Sequence, residues 1–270
     1  RTLFEEVRAQ AQRIRLAKDG SSDLPAPPFF FVTGGAGVGK SFTVYVLRNM
    51  IQRELGLTCG LGCMVTATTG TAAHGINGST IHSSLHLPLT AGTFQSMEPL
   101  SRDKLEEVRQ EWLGVEFLVV DEISMAGYYT LVAIHKRSQQ IRGSEAMFGG
   151  CNVLAVGDLM QLPAVQQAAV YSVIRGSGLT SLGTHLWRDL FSLRELNEVM
   201  RQKGDSQFAT ALNRLRIGAQ TPDDMALFRS RVVTEAPTDC LRLFRTNAAC
   251  ESFNNRMMDR IRGTLYEVTA

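Results

Sequence analysis

The sequence predicts an α/β fold: a parallel sheet with helices on both faces. Three observations carry this. Short apolar runs at Phe29–Thr33 (FFFVT), Glu116–Asp121 (EFLVVD) and Asn152–Gly157 (NVLAVG) alternate with stretches of helical spacing. These runs are continuous rather than alternating, which suits strands buried on both faces. A glycine-rich segment joins the first run to a helix, the start of a strand–loop–helix unit.

The elements follow in order. Leu3–Lys18 places Leu3, Val7, Ile14 and Leu16 among charges, as in an amphipathic helix, and Asp19–Pro28 ends it. Residues 1–28 therefore read as a helix and linker. Phe29–Thr33 is a central strand, a helix runs from Lys40 to Leu55, and Cys63–Thr68 is the next strand. Thr90–Arg102 reads as a surface connector. Beyond Leu193 the texture turns helical, with Gln207–Leu215, Pro222–Arg231 and Asn247–Met258 as helices and Leu241–Phe244 as a strand. The domains are accordingly 29–196, which carries the sheet, and 197–270, the beginning of a second.

Composition narrows the class. The 270 residues are 44% hydrophobic and 20% charged, enough apolar material for a packed core and too much for a disordered chain. A net charge of +2 does not announce a polyanion partner, so any nucleic-acid surface is local. The cations are 23 Arg and 5 Lys, a bias that fits phosphate pairing or the base composition of a gene. Cys59, Cys63, Cys151, Cys240 and Cys250 show neither paired nor zinc-type spacing, so a reducing compartment is expected. No apolar run approaches the roughly 18 residues of a membrane span. A soluble, intracellular chain without membrane contact is expected. Arg1 is not an initiator, so an excerpt from a longer chain is expected.

The segment Gly34-Gly35-Ala36-Gly37-Val38-Gly39-Lys40-Ser41 matches GxxxxGK[ST] between a strand and a helix. Such a loop turns successive N–H groups toward a phosphate at a helix N-terminus. ATP is the expected ligand, bound by residues 34–41 together with Phe42; Lys40 would reach the β- and γ-phosphates and Ser41 would hold Mg²⁺. Asp121 and Glu122 end the LVV run, so Asp121 is assigned to Mg²⁺ with Ser41, and Glu122 to accepting a proton from the attacking water. Gly157-Asp158-Leu-Met-Gln161-Leu-Pro163 also follows a strand, bringing Asp158 and Gln161 to the same sheet edge unless GD is simply a turn. Between these motifs, Thr66–Ser83 (TATTGTAAHGINGSTIHS) is dense in hydroxyls and contains His74 and His82. It suits contact with a sugar-phosphate backbone, or is a Ser/Thr-rich loop.

GGAGVGKS, TATTGTAAHGINGSTIHS, LVVDEISM, GDLMQLP and Glu198-Val-Met-Arg201-Gln202, in this order, resemble motifs I, Ia, II, III and IV of the petite-integration-frequency group of superfamily 1 DNA helicases. This 5′-to-3′ branch includes RecD-like proteins and the helicase part of Helitron transposons. The resemblance covers most of residues 29–202 and continues more weakly through Leu243–Asn254. It implies two RecA-like domains with ATP between them and single-stranded DNA across their tops. It further implies that Gln161 senses the γ-phosphate and that Arg201 reaches it from the second domain. Taken alone, Arg201 reads more readily as a salt-bridged helix residue. Thr69, Gly70, Thr80, His82 and Ser83 match the DNA-contacting region. A monomer is expected, in the nucleus of a eukaryotic cell or in the mitochondrion. Val38 stands where the family has Thr, Ala164 replaces a second Pro, residues 1–28 show no adenine-reading Gln motif, and motifs V and VI are not reached. An inactive remnant that only binds nucleic acid is the alternative. A loader or switch of the AAA+ type would not carry GDLMQLP.

Overall fold

Six parallel strands form one sheet, assembled from β1 (Phe29–Thr33), β2 (Cys63–Ala67), β3 (Ser79–Thr80), β4 (Phe117–Asp121), β5 (Asn152–Gly157) and β6 (Ser192–Glu195) in the spatial order β3-β2-β4-β5-β1-β6. The computed structural model describes residues 2–56, 62–88, 97–173, 184–198, 200, 205–234, 237, 240–261 and 263. Two compact units divide the chain, 1–220 and 221–270. The sequence-based change of domain near Asn197 thus lies inside the first unit.

Successive residues of a strand point to opposite faces, and here both faces are buried. Phe30, Val32, Val65, Phe117, Val119, Leu154 and Val156 pack with α1 (Thr2–Lys18) and α2 (Lys40–Glu54). Phe31, Leu118, Val120, Val153 and Ala155 pack on the other side with α5 (Arg102–Glu111) and α6 (Tyr128–Arg142). Two-sided burial is why FLVVD and NVLAVG carry no polar alternation. The first unit is thereby a P-loop α/β domain of the expected RecA-like class. Among the described residues no helix is long and apolar enough to cross a membrane.

Gln10 on α1 donates to the carbonyl of Ala26 and to Asn152 Oδ1, both at 3.0 Å, which pins α1 at the amino edge of the sheet. Phe148 anchors the opposite face. Its ring is fully buried, with centroids 5.3 Å from Phe29, 5.2 Å from His135 and 6.0 Å from Phe191. Its N–H donates to His135 Nδ1 at 3.0 Å, and burial pulls that imidazole down to about 4, so it accepts as a neutral ring. Phe148→Ala is expected to cost about 3–5 kcal/mol, read from the urea midpoint.

Four elements were not visible in the sequence. Residues 69–84, read as loop, hold α3 (Gly70–Gly75), β3 and α4 (Ile81–Ser84). Strand β6 pairs with β1, although its pattern is mostly exposed. Helix α5 overlaps only the last residue of the expected connector, of which 97–101 is irregular and 90–96 lies outside the described residues.

After α7 (Leu186–Leu190) the first unit closes with α8 (Ser206–Arg216). The second unit contains α9 (Pro222–Arg229) and α10 (Asn247–Met258). A capping box starts α9: Thr221 Oγ1 accepts from Asp224 N at 3.2 Å and the Asp224 carboxylate accepts from Thr221 N at 2.9 Å. The expected strand Leu241–Phe244 is not formed. Its leucines are 94% and 93% exposed and it pairs with no described strand, so its apolar pattern lacks the burial that would hold it extended.

Candidate nucleotide site

Strand order places the ends of β4, β5 and β1 side by side, so Asp121, Asp158 and the Gly34–Ser41 loop share the carboxyl edge of the sheet. The loop leads straight into α2. Gly39 caps that helix at φ 86°, ψ 27°, a left-handed conformation that glycine adopts without steric cost. Gly34 is required for a different reason: a Cβ there would lie 2.5 Å from the carbonyl oxygen of Leu196, where the chain leaves β6. Leu196 N donates to Thr33 O and Met200 N to Gly37 O, both at 2.8 Å, so Leu196 and Met200 brace the loop. Val38 is buried beneath it, while Ser41 and Phe42 are exposed at the start of α2.

Lys40 Nζ donates to the carbonyl oxygens of Gly34 and Gly35, at 2.9 and 3.1 Å. Burial pulls this ammonium below the usual lysine range, against the opposing pull of Asp158, Glu122 and Asp121. Those three carboxylates therefore lie within electrostatic reach of one cation. Asp121 is 4% exposed, and burial raises it to about 6 even though Glu122 N donates to its Oδ1 at 2.9 Å. A buried carboxylate raised this far is suited to accepting a divalent cation, whose charge would restore the ionised form.

Glu122 is half-buried and adopts φ 52°, ψ 42°, a conformation uncommon outside glycine and typical of functional turns. Thr68 Oγ1 donates to its carbonyl at 3.2 Å. The side chain borders a cavity of about 360 Å³ that is also lined by Thr69, Ser124 and Gln161. Ser124 Oγ is buried without a hydrogen-bond partner among the described residues. Asp158 is fully buried and accepts from Met160 N and Gln161 Nε2, both at 3.1 Å, and from Arg216.

The arrangement is a glycine-rich loop at a helix start, flanked at the same sheet edge by a buried acid, a half-buried acid and a glutamine. A model of the PIF1-like helicase family matches residues 10–222. The chain belongs to the PIF1-like helicase family. It is 32% identical over 247 residues to the ATP-dependent DNA helicase PIF1 of Candida albicans, covering 86% of this chain and 26% of that protein. The crystal structure of Pif1 helicase from Candida albicans superposes with a TM-score of 0.68 at 26% identity, covering 94% of this chain and 55% of that one. Bacteroides Pif1 bound to single-stranded DNA gives a TM-score of 0.65 at 26% identity over 92% of this chain and 55% of that one. The chain thus spans about a quarter of that curated relative and just over half of these solved Pif1 chains.

In this PIF1-like chain, Lys40, Ser41, Asp121, Glu122 and Gln161 come to one sheet edge. Arg201 lies outside the described residues, immediately after the Met200 that braces the loop. The five DNA-contact candidates emerge beside β2 and β3. Thr69 and Thr80 are helix caps, accepting from Ala72 N at 3.3 Å and Ser83 N at 3.2 Å, and Thr80 Oγ1 also pairs with Ser83 Oγ at 2.9 Å. Only Thr69 also borders the Glu122 cavity. Gly70 is exposed, and burial pulls His82 below the ordinary histidine range. Sequence reading missed Arg216, Ser124 and the bracing contact of Leu196. Arg216 and Leu196 act through contacts distant along the chain, which no local pattern signals, and Ser124 stands unmarked inside LVVDEISM.

Proposed function

We propose that this chain is the N-terminal motor part of an ATP-dependent DNA helicase that tracks 5′-to-3′ along single-stranded DNA. The observation that carries the proposal is the placement of Lys40, Ser41, Asp121, Glu122 and Gln161 at one carboxyl edge of the sheet, beside the glycine-rich loop whose carbonyls hold the Lys40 ammonium. The residues fit ATP with Mg²⁺: Lys40 is held at the loop, Ser41 is exposed at the start of α2, and Asp121 is a buried acid on the neighbouring strand tip but one. When bound, Mg²⁺ would supply charge neutralisation at the β- and γ-phosphates. Lys40 would hold the phosphates, Ser41 and Asp121 would hold the metal, and Glu122 would take the proton of the attacking water. Gln161 would contact the γ-phosphate, and Arg201 would complete the site from a second RecA-like domain that begins near residue 197.

Support for DNA as the partner comes from the cavity shared by Thr69, Glu122 and Gln161. It gives the expected DNA face and the hydrolytic face a common wall. A nuclear or mitochondrial setting and a monomeric motor form part of the same proposal.

The test is ATP turnover with and without single-stranded DNA, in this chain and in the full-length protein. Lys40→Ala is expected to remove DNA-stimulated turnover by about 10²–10³-fold, the usual loss on deleting a preorganised electrostatic contact. DNA binding with no turnover in the unmutated full-length protein would instead establish the remnant.

A further inference from the structure

We propose that Arg216 is a positioning residue for Gln161, acting through Asp158. The proposal rests on the reading that the Gly34–Ser41 loop takes a nucleoside triphosphate and that Gln161 faces its terminal phosphate. Arg216 Nε donates to both Asp158 oxygens, at 3.1 and 2.9 Å, and Nη2 donates to Oδ1 at 2.6 Å. The same carboxylate accepts the Gln161 amide at 3.1 Å. Asp158 is fully buried, so the guanidinium is the cation that compensates it directly, while Gln161 is exposed and takes its direction from this acceptor. Burial pushes the Asp158 carboxyl up, but hydrogen bonds from Arg216, Met160 and Gln161 outweigh it, and the group stays ionised below the ordinary range.

Helix α8 is placed to do this. Ala209, Leu212, Asn213 and Arg216 recur at i, i+3, i+4 and i+7, a single helical face. That face lines a cavity of about 280 Å³ together with Ala36, Asp158, Met160 and Gln161. Asn213 Oδ1 lies 3.0 Å from where a Cβ on Gly35 would stand. One helix face therefore touches the phosphate loop with Asn213 and the Asp158–Gln161 turn with Arg216. The bidentate fork matters because it fixes the carboxylate plane, which a single ammonium does not.

The decisive measurement is nucleotide discrimination. Affinities for Mg²⁺·ADP and for a Mg²⁺-bound non-hydrolysable ATP analogue are compared by fluorescent-nucleotide displacement in the parent, Arg216→Ala, Arg216→Lys, Gln161→Ala and the Arg216→Ala/Gln161→Ala pair. Arg216→Ala is expected to reduce the preference for the analogue about five- to tenfold while ADP affinity stays within about twofold. Arg216→Lys should recover less than half of that loss, and the double variant should be no worse than Gln161→Ala alone. If the alanine variant does not fold, Arg216→Gln, which retains a donor without the charge, carries the same comparison. A loss in Gln161→Ala that Arg216→Ala and Arg216→Gln do not reproduce overturns the role of Arg216. Equal losses for both nucleotides, tracking the melting midpoint, also overturn it by marking a scaffold contact. No change in Gln161→Ala removes the terminal-phosphate reading itself, and the proposal with it.

Discussion

Glu122→Gln is expected to lower DNA-stimulated ATP turnover by about 10²- to 10⁴-fold while leaving ATP affinity within about twofold. The substitution is close to isosteric, so the left-handed backbone and the contacts from Thr68 and to Asp121 remain available. What disappears is the capacity to accept a proton beside the cavity that Gln161 also lines. An interaction made only in the transition state changes turnover, not ground-state binding. Single-turnover hydrolysis together with equilibrium binding of the same nucleotide checks both halves. Turnover near the parent rate would place the base elsewhere, and weakened binding would give Glu122 a role in holding the nucleotide.

Asp121→Asn is expected to move stability and activity in opposite directions. Burial raises the Asp121 carboxyl from an ordinary 3.8 to about 6 in the nucleotide-free protein. A raised folded value means that the native state binds the proton more tightly than the unfolded chain, so the contribution is present below about pH 4 and is lost as pH rises through about 6. At pH 7 the ionised group costs about 3 kcal/mol relative to its unfolded reference. Asparagine removes that cost and still offers an oxygen to Glu122 N. The variant should therefore unfold at higher urea than the parent at pH 7, with the gap closing toward pH 4. His135 works in the other sense: burial holds its imidazole near 4, so stability falls as acid charges the unfolded chain first. Both proteins carry His135, so the difference between their pH profiles isolates Asp121. Hydrolysis in Asp121→Asn should collapse because the acid assigned to Mg²⁺ is gone. Such a gain in stability at the expense of activity is characteristic of a site held in a destabilised state for function. A variant that is less stable at every pH would show that the carboxylate is structurally required.

Legibility tracked the range of the interactions involved. Phe29–Thr33 and Asn152–Gly157 were read to the residue because strands buried on both faces leave an uninterrupted apolar run bounded by turn residues. The loop at Gly34–Ser41 was legible because its chemistry is local: phosphate binding needs consecutive amides at a helix start. Helix α3 hid inside a hydroxyl-rich stretch because Thr69 serves as a cap, and capping chemistry looks like loop chemistry until a partner N–H is seen. Strand β6 is mostly exposed, so its apolar content was too low to read, and pairing with β1 alone defines it. Leu241–Phe244 shows the converse, an apolar pattern with no strand beside it among the described residues.

By itself, then, the sequence determined the α/β class, the phosphate loop, and the acids and glutamine that follow strands, because strand period, helix starts and glycine turns are set by neighbours in the chain. Tertiary structure alone decided that Asp121, Glu122 and Asp158 share a sheet edge with Lys40, that Leu196 makes Gly34 obligatory, and that Arg216 on α8 grips the acid beside Gln161. Those contacts join residues from separate segments of the chain. Their energies depend on burial and on the plane of a carboxylate, neither of which exists until the sheet is assembled.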